Sequence, residues 1–151
     1  MSFQGYSKVD YVFIHLGTND LANSNTETLS YFKEMVDSIK AFNSNIVVFV
    51  GLCPPLSSRS DNFRLKNKRI ELMKLLLNEF DNKQDERIII SPLVLNFDAY
   101  NGFPTQDISG NRHSNENLKV VTDNTHPMES EYFKIADTIY CSIKYAVSLG
   151  Y

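Results

Sequence analysis

The sequence predicts an α/β fold built on a parallel sheet. Short apolar runs rich in β-branched residues alternate along the chain with longer segments in which apolar residues recur every three or four positions. Each short run ends at glycine, serine or proline, as strands do when a loop follows. Strands that alternate with helices pair in parallel through right-handed crossovers, so helices are expected to cover the sheet.

The first predicted strand covers residues 9–16 and ends at Gly17. Its apolar and aromatic residues are typical of a strand buried on both faces. A helix follows, because Ser24 and Glu27 have the spacing of a capping box. The expected apolar face of this helix is formed by Leu29, Phe32, Met35, Val36, Ile39 and Phe42.

A second strand is predicted over residues 46–50 and a third over 87–90. Between them lies a helix over about 61–80. The prolines at positions 54 and 55 end the second strand, since proline cannot donate to a sheet ladder. The expected apolar face of the helix is formed by Leu65, Ile70, Met73, Leu76, Leu77 and Phe80.

Residues 94–123 show no regular spacing of apolar residues and are rich in asparagine, glycine, aspartate and serine. They predict a long loop with a short helix near Asp98, and long loops in compact domains are often functional. A last helix is predicted over 130–149 and ends at Gly150. Its expected apolar side is formed by Tyr132, Ala136, Ile139, Ile143 and Val147.

The composition is that of one ordinary globular domain. The chain has 151 residues, of which 42% are hydrophobic and 22% charged. At this length roughly two thirds of the surface can be buried, so no disulfide or metal is needed to hold a core. Cys53 and Cys141 are far apart and match no metal-ligand spacing, which predicts two free thiols.

The charge pattern excludes several classes of partner. With 15 basic and 18 acidic residues the net charge is -3, and there is no basic stripe, so no nucleic-acid partner is expected. The most apolar segment, 45–54, is shorter than the ~20 residues of a membrane span. No signal peptide is seen in the first ten residues, which predicts a cytoplasmic protein if Met1 is the true start and otherwise leaves the compartment unknown.

Two short motifs are placed where ligands bind in such folds. Gly17-Thr18-Asn19-Asp20 follows the first strand, and residues 123–127, Asp-Asn-Thr-His-Pro, precede the last helix. Ligands collect beyond the carboxyl ends of parallel strands. The segments 17–23, 51–60 and 91 onward are therefore expected to share one rim of the sheet.

The residue types in these motifs suit acyl transfer. An imidazole titrates near working pH, so His126 is the candidate general base. Asp123, three residues earlier, can hold the ring and stabilise its charged form. Asn19, placed on a tight turn by Gly17, can donate to a developing oxyanion, and Asp20 is expected to brace that turn through backbone hydrogen bonds.

Together the motifs resemble the third block, G-x-N-D, and the fifth block, D-x-x-H, of the SGNH hydrolases, also called GDSL esterases. His15-Leu16 precedes the first motif and Pro127 follows the second, as in many relatives. The resemblance implies a three-layer α/β/α flavodoxin-like fold and a carboxylic ester hydrolase that needs no metal or other cofactor. Its implied substrates are small esters or acylated carbohydrates and lipids.

One block of the family pattern is missing. No G-D-S occurs in the sequence, so the nucleophile is unknown and would come from a preceding segment. Ser57 and Ser58 follow the second strand, but the prolines beside them favour a plain loop. The chain, 1–151, is accordingly expected to be a single SGNH-like domain that is incomplete at its N-terminus and lacks the first strands. Its first strand would then form an open edge, which invites homo-oligomerisation.

Other interpretations stay open. The chain is alternatively a catalytically silent, truncated domain that acts as a binding or structural module. A metal site is less favoured, because the Gly17 turn lacks the histidine found in comparable metallophosphoesterase turns. Of the other histidines, His15 is expected to be a hydrogen-bonded core residue and His113 a solvated loop residue.

Overall fold

The computed structural model describes residues 8–20, 23–60, 62–110 and 117–151, so His113 lies outside the described residues. It contains a three-stranded parallel sheet and three long helices, which confirms the predicted α/β class. The sheet consists of β1 (Tyr11–Ile14), β2 (Val47–Gly51) and β3 (Ile88–Ser91), in that spatial order. The helices are α1 (Asn25–Phe42), α2 (Phe63–Phe80) and α3 (Glu129–Ser148), and a short 3-10 helix (Gln84–Glu86) precedes β3.

The helices cover both faces of the sheet. Successive strand residues point to opposite sides, and the apolar side chains on both sides are buried by packing against helices. On one face Val48 and Val50 of β2 pack in a cluster with Phe32 of α1 and Leu76 of α2. On the other face Phe49, with Val47, packs against Ala146 of α3. All five residues of β2 are buried, as expected for the central strand of a covered sheet.

The strand β1 lies at an edge of the sheet. It pairs with β2 through the register Tyr11↔Val47 to Ile14↔Val50, and no described strand pairs with its other side. The open edge predicted for this strand is present among the described residues, but burial on both faces is not, since only Ile14 of its four residues is buried. Tyr11 is partly exposed and Leu16, which follows the strand, is 47% exposed.

Only one of the two hydrogen bonds of the predicted Ser24–Glu27 capping box is present at the start of α1. The Ser24 hydroxyl accepts a hydrogen bond from the Glu27 N–H at 3.2 Å, which caps the helix. The Glu27 carboxylate does not complete the reciprocal bond and instead accepts from the Tyr31 hydroxyl at 3.0 Å.

The predicted apolar faces of the helices agree with the structure only in part. Phe42, expected on the apolar face of α1, is 83% exposed, whereas Leu76 and Phe80 of α2 are buried as predicted. In α2 the buried positions are Arg69, Leu72, Leu76 and Phe80, while Ile70, expected inside, is 44% exposed. In α3 the buried positions are Glu131, Thr138, Ser142 and Ala146, while Tyr132 and Val147 are exposed. Small and polar residues let α3 approach closely, since the Ser142 and Ser91 hydroxyls are hydrogen-bonded at 2.7 Å between the helix and β3.

The prediction of one long loop over 94–123 is wrong. Within it lie β4 (Thr105–Ser109) and β5 (Asn117–Val121), paired antiparallel with Thr105 opposite Val121. The short helix expected near Asp98 is a turn, in which the Asp98 carboxylate accepts from the N–H groups of Tyr100 and Asn101, each at 2.9 Å. The described parts of the segment before α3 thus consist of hydrogen-bonded turns and a pair of antiparallel strands.

Two simpler predictions have clear outcomes. Cys53 is buried, Cys141 is exposed, and both are free thiols, as expected. None of the helices in the described ranges is long and apolar enough to cross a membrane.

Candidate active site

The turn before α3 is held by the carboxylate of Asp123. Its Oδ1 accepts hydrogen bonds from the backbone N–H of Thr125 at 2.8 Å and of His126 at 2.9 Å. Its Oδ2 lies 2.8 Å from Nδ1 of the His126 ring. The pKa of Asp123 is lowered to about 2 by these hydrogen bonds. The largest contribution comes from the backbone N–H of His126, followed by the backbone N–H of Thr125 and the His126 ring.

This geometry determines which nitrogen of His126 carries the proton in the neutral ring. An ionised carboxylate only accepts hydrogen bonds, so Nδ1 donates to Asp123 Oδ2. The other nitrogen, Nε2, then presents a lone pair, and it has no hydrogen-bond partner among the described residues. The pair is thus arranged as a base whose ring is oriented by a carboxylate.

The pair lies at the surface. The His126 side chain is 73% exposed and that of Asp123 is 41% exposed. Ion pairs in such positions contribute little to stability because water screens them. The contact therefore orients the imidazole more than it stabilises the fold, and Nε2 is accessible to a ligand.

The turn after β1 requires a glycine at its first position. Gly17 has φ of 98°, a left-handed conformation that side chains disfavour. A Cβ atom there would lie 2.9 Å from Cδ2 of Leu72. The Gly17 N–H donates to Oδ2 of Asp20 at 3.1 Å, so Asp20 closes the turn through a backbone hydrogen bond.

Between these two residues, Asn19 is exposed. Its side-chain amide makes no hydrogen bond to the described residues, which leaves its two N–H donors available. No described contact joins Asn19 to His126 directly.

A buried cluster supports the Gly17 turn from below. The Cys53 thiol donates to the Leu16 carbonyl at 2.5 Å, and the Thr18 hydroxyl donates to Cys53 Sγ at 3.7 Å. Burial raises the pKa of Cys53, which makes it an unreactive thiol. Arg69 donates to the Pro54 carbonyl at 3.0 Å and to the Thr18 carbonyl at 3.5 Å.

Arg69 is the member of this cluster that the sequence interpretation missed. An arginine in a helix is normally assigned to the solvent face. However, Arg69 is four, three and seven residues away from Leu65, Leu72 and Leu76, so it lies on the same face of α2 as these leucines. This spacing could have predicted that Arg69 is buried.

Hydrogen bonds link the loops of the rim into one network. Arg69 connects the loop after β1 with the loop after β2 through Thr18 and Pro54. The Asn124 amide donates to the Ser60 hydroxyl at 3.2 Å, which connects the loop after β2 with the turn that carries His126.

The two serines considered as nucleophiles are engaged elsewhere. Ser57 is fully buried, and its hydroxyl oxygen accepts from the Arg59 N–H at 3.3 Å. The Ser58 hydroxyl donates to the Ala99 carbonyl at 3.0 Å. Neither residue contacts His126, and none of the described residues offers a hydroxyl or thiol hydrogen-bonded to its Nε2.

His15 differs from its prediction. It lies after the end of β1, is partly exposed and partly buried, and makes no hydrogen bond within the described part of the chain, so it is not a hydrogen-bonded core histidine. Partial burial of the ring and the charge of Arg69 together lower the pKa of His15. Within the described ranges, no three histidine, cysteine or acidic side chains cluster as metal ligands would.

Comparisons of the chain with protein-family models, curated proteins and solved structures found no match.

Proposed function

We propose that this chain carries the base, the orienting carboxylate and one oxyanion donor of a carboxylic ester hydrolase of the SGNH type. The observation that supports this proposal is the 2.8 Å contact between Asp123 Oδ2 and His126 Nδ1, which leaves Nε2 exposed as a lone pair. The proposed fold is correspondingly the three-layer flavodoxin-like arrangement of that family, without its first strands.

In this proposal His126 Nε2 takes the proton of a nucleophilic hydroxyl as that oxygen attacks the ester carbonyl. Asp123 keeps its negative charge and stabilises the imidazolium that forms. The amide of Asn19 donates to the carbonyl oxygen as it becomes negative, and His126 then returns the proton to the leaving alcohol. In the second step His126 takes a proton from water as the water attacks the acyl-enzyme, and it returns that proton to the nucleophile oxygen as the carboxylic acid is released. The nucleophile is not supplied by the described residues that surround the site.

The substrate is proposed to be a small ester or an acylated carbohydrate or lipid, and the reaction needs no cofactor. Acyl transfer by an oriented imidazole requires only the nucleophile, the base and the oxyanion donors.

A second candidate function is that of a binding or structural module without turnover. It is favoured by the absence, among the described residues, of any hydroxyl or thiol that reaches His126.

Hydrolysis of p-nitrophenyl acetate separates the two candidates. We expect the chain alone to hydrolyse the ester no faster than its Asn19→Ala variant. A chain extended upstream in its own reading frame should be active if a G-D-S block lies there, and His126→Ala should reduce its rate by at least about a hundredfold.

Three outcomes favour other conclusions. An upstream stop codon close to Met1, or an inactive extended chain, favours the binding module. Turnover by the chain alone that Ser57→Ala or Ser58→Ala abolishes contradicts a nucleophile from outside the described residues.

We also propose that the open edge of β1 pairs with a second copy of this chain. The Val47 N–H donates to the Asp10 carbonyl at 2.9 Å, and donors alternate along a parallel strand. The backbone groups of Val12 therefore point to β2, and those of Tyr11 and Phe13 point away from the sheet. A groove of about 720 Å³ follows this edge beside α1.

A two-fold axis allows these groups to pair. An antiparallel ladder satisfies the outward groups of both copies equivalently, whereas the staggered bonds of a parallel ladder do not fit two-fold symmetry. It also places the charged end of one strand, with Lys8 and Asp10, beside the uncharged end of the other, so no like charges meet.

A further inference from the structure

A small cavity lies beside the turn that carries the proposed base. Its volume is about 370 Å³, within the range of ligand sites. Asp123 forms part of its wall, so a molecule in the cavity is next to the Asp123–His126 pair. The lining residues are Arg59, Ser60, Val120, Val121, Thr122, Asp123 and Asn124.

The cation in this wall, Arg59, is held in place by Tyr100 and Asn101. Its Nε donates to the Tyr100 carbonyl at 3.0 Å, and the guanidinium carbon lies 3.9 Å from the centre of the Tyr100 ring. Its Nη2 donates to Oδ1 of Asn101 at 3.5 Å. Because these contacts already hold the Arg59 side chain in one conformation, ligand binding carries a smaller entropic cost for ordering it.

The same contacts leave part of the guanidinium unused. An arginine has five N–H donors, and Nη1 makes no hydrogen bond to the described residues. No carboxylate of the described ranges forms an ion pair with Arg59. Both oxygens of Asp123, the acidic residue in the cavity wall, are instead engaged by Thr125 and His126.

A half-buried arginine with free donors and no acidic partner is suited to an anion, because guanidinium binds carboxylates through two parallel hydrogen bonds. We infer that this cavity is a subsite for a carboxylate group, and that the substrates are esters that carry such a group. The inference rests on the proposed hydrolase function for the identity of the ester, but the binding of the carboxylate does not depend on turnover.

The experiment is an NMR titration of the full chain with monomethyl succinate, an ester that has a free carboxylate. Dimethyl succinate, its neutral analogue, is the matched ligand control. The amide signals of Val121 and Asn124 report on the cavity. We expect both signals to shift with monomethyl succinate, and at least about tenfold weaker binding of the neutral diester.

Variants assign the effect to Arg59. Arg59→Gln should weaken binding of monomethyl succinate at least about tenfold, and Arg59→Lys should retain part of it. Arg64→Gln is the matched control, since Arg64 is exposed and outside the cavity wall but its loss changes the net charge equally. Well-dispersed amide spectra establish that each variant is folded.

The inference is overturned if the wild type binds neither ester, if both esters bind equally, or if Arg64→Gln weakens binding as much as Arg59→Gln. Failure of the hydrolase proposal gives a different result. In that case carboxylate binding persists while the extended chain shows no hydrolysis that depends on His126.

Discussion

The Arg69 guanidinium donates from Nη1 to the Pro54 carbonyl at 3.0 Å, although Arg69 is only 4% exposed. Its Nη2 lies 3.5 Å from the Thr18 carbonyl, and Nε has no partner in the described part of the chain. A buried cation is costly unless hydrogen bonds compensate for the lost water, and here the two carbonyls supply part of that compensation. Arg69 fixes the loops after β1 and β2 relative to each other and places a positive charge beneath the turn of Asn19.

Replacement of Arg69 should change the titration of His15. Burial and then the Arg69 charge lower the pKa of His15, so Arg69→Gln is expected to raise that pKa. NMR titration of the ring protons measures it, with Arg64→Gln as the control. Because the folded-state pKa is lowered, the wild type loses stability as pH falls through about 6.5, and the variant should lose less. An unchanged His15 pKa in Arg69→Gln shows that the Arg69 charge has no effect on the His15 ring.

Gly17→Ala should destabilise the protein. The left-handed φ and the approach of Cβ to Leu72 at 2.9 Å are expected to cost about 1–3 kcal/mol of unfolding free energy, measured with urea. Gly150→Ala is the control, because Gly150 also has positive φ but has no atoms within 4 Å of the added Cβ. Equal losses in both variants show that the Leu72 contact has no effect.

The Asp123 carboxyl should titrate near its pKa of about 2, which carbon-13 NMR can follow. Since this pKa is depressed, its stabilising contribution is present above about 3.9 and is lost as pH falls towards the folded-state value. His126→Ala should raise the pKa only in part, because the largest cause is the backbone N–H of residue 126, which the variant keeps. An Asp123 titration at the ordinary value in the wild type counts against the turn as described.

The isolated chain should form dimers at rising concentration, as measured by light scattering. Phe13→Pro removes an outward N–H of β1 without a loss of bonds to β2, and proline is tolerated at such positions. Phe13→Ala is the control, since it also loses the ring that stacks on Phe49 but keeps the N–H. We expect the alanine variant to dimerise more strongly than the proline variant, and a monodisperse wild-type monomer excludes pairing through this edge.

Local patterns explain what the sequence could predict. The apolar run of β2 and the capping serine of α1 act within a few residues, and Asp123 and His126 meet because they are three positions apart. The hairpin β4–β5 was missed because its strands are largely exposed and depend on each other for pairing.

Residues that depend on tertiary contacts could not be assigned in the same way. Arg69 is buried because two carbonyls from distant loops accept its hydrogen bonds, and Ser142 is buried because Ser91 lies opposite it. Hydrophobic periodicity alone therefore predicts Ile70 of α2 and Tyr132 of α3 on the buried side, whereas both are exposed.

The tautomer of His126, read from long-range proton–nitrogen NMR at a pH where the ring is neutral, directly tests whether Asp123 orients this ring as a base. We expect a proton on Nδ1 and a lone pair on Nε2, and we expect Asp123→Ala to shift the population towards the Nε2–H form preferred by free histidine. A wild-type ring that already carries its proton on Nε2, or a tautomer unchanged by Asp123→Ala, contradicts the assignment of Asp123 and His126 as an oriented base.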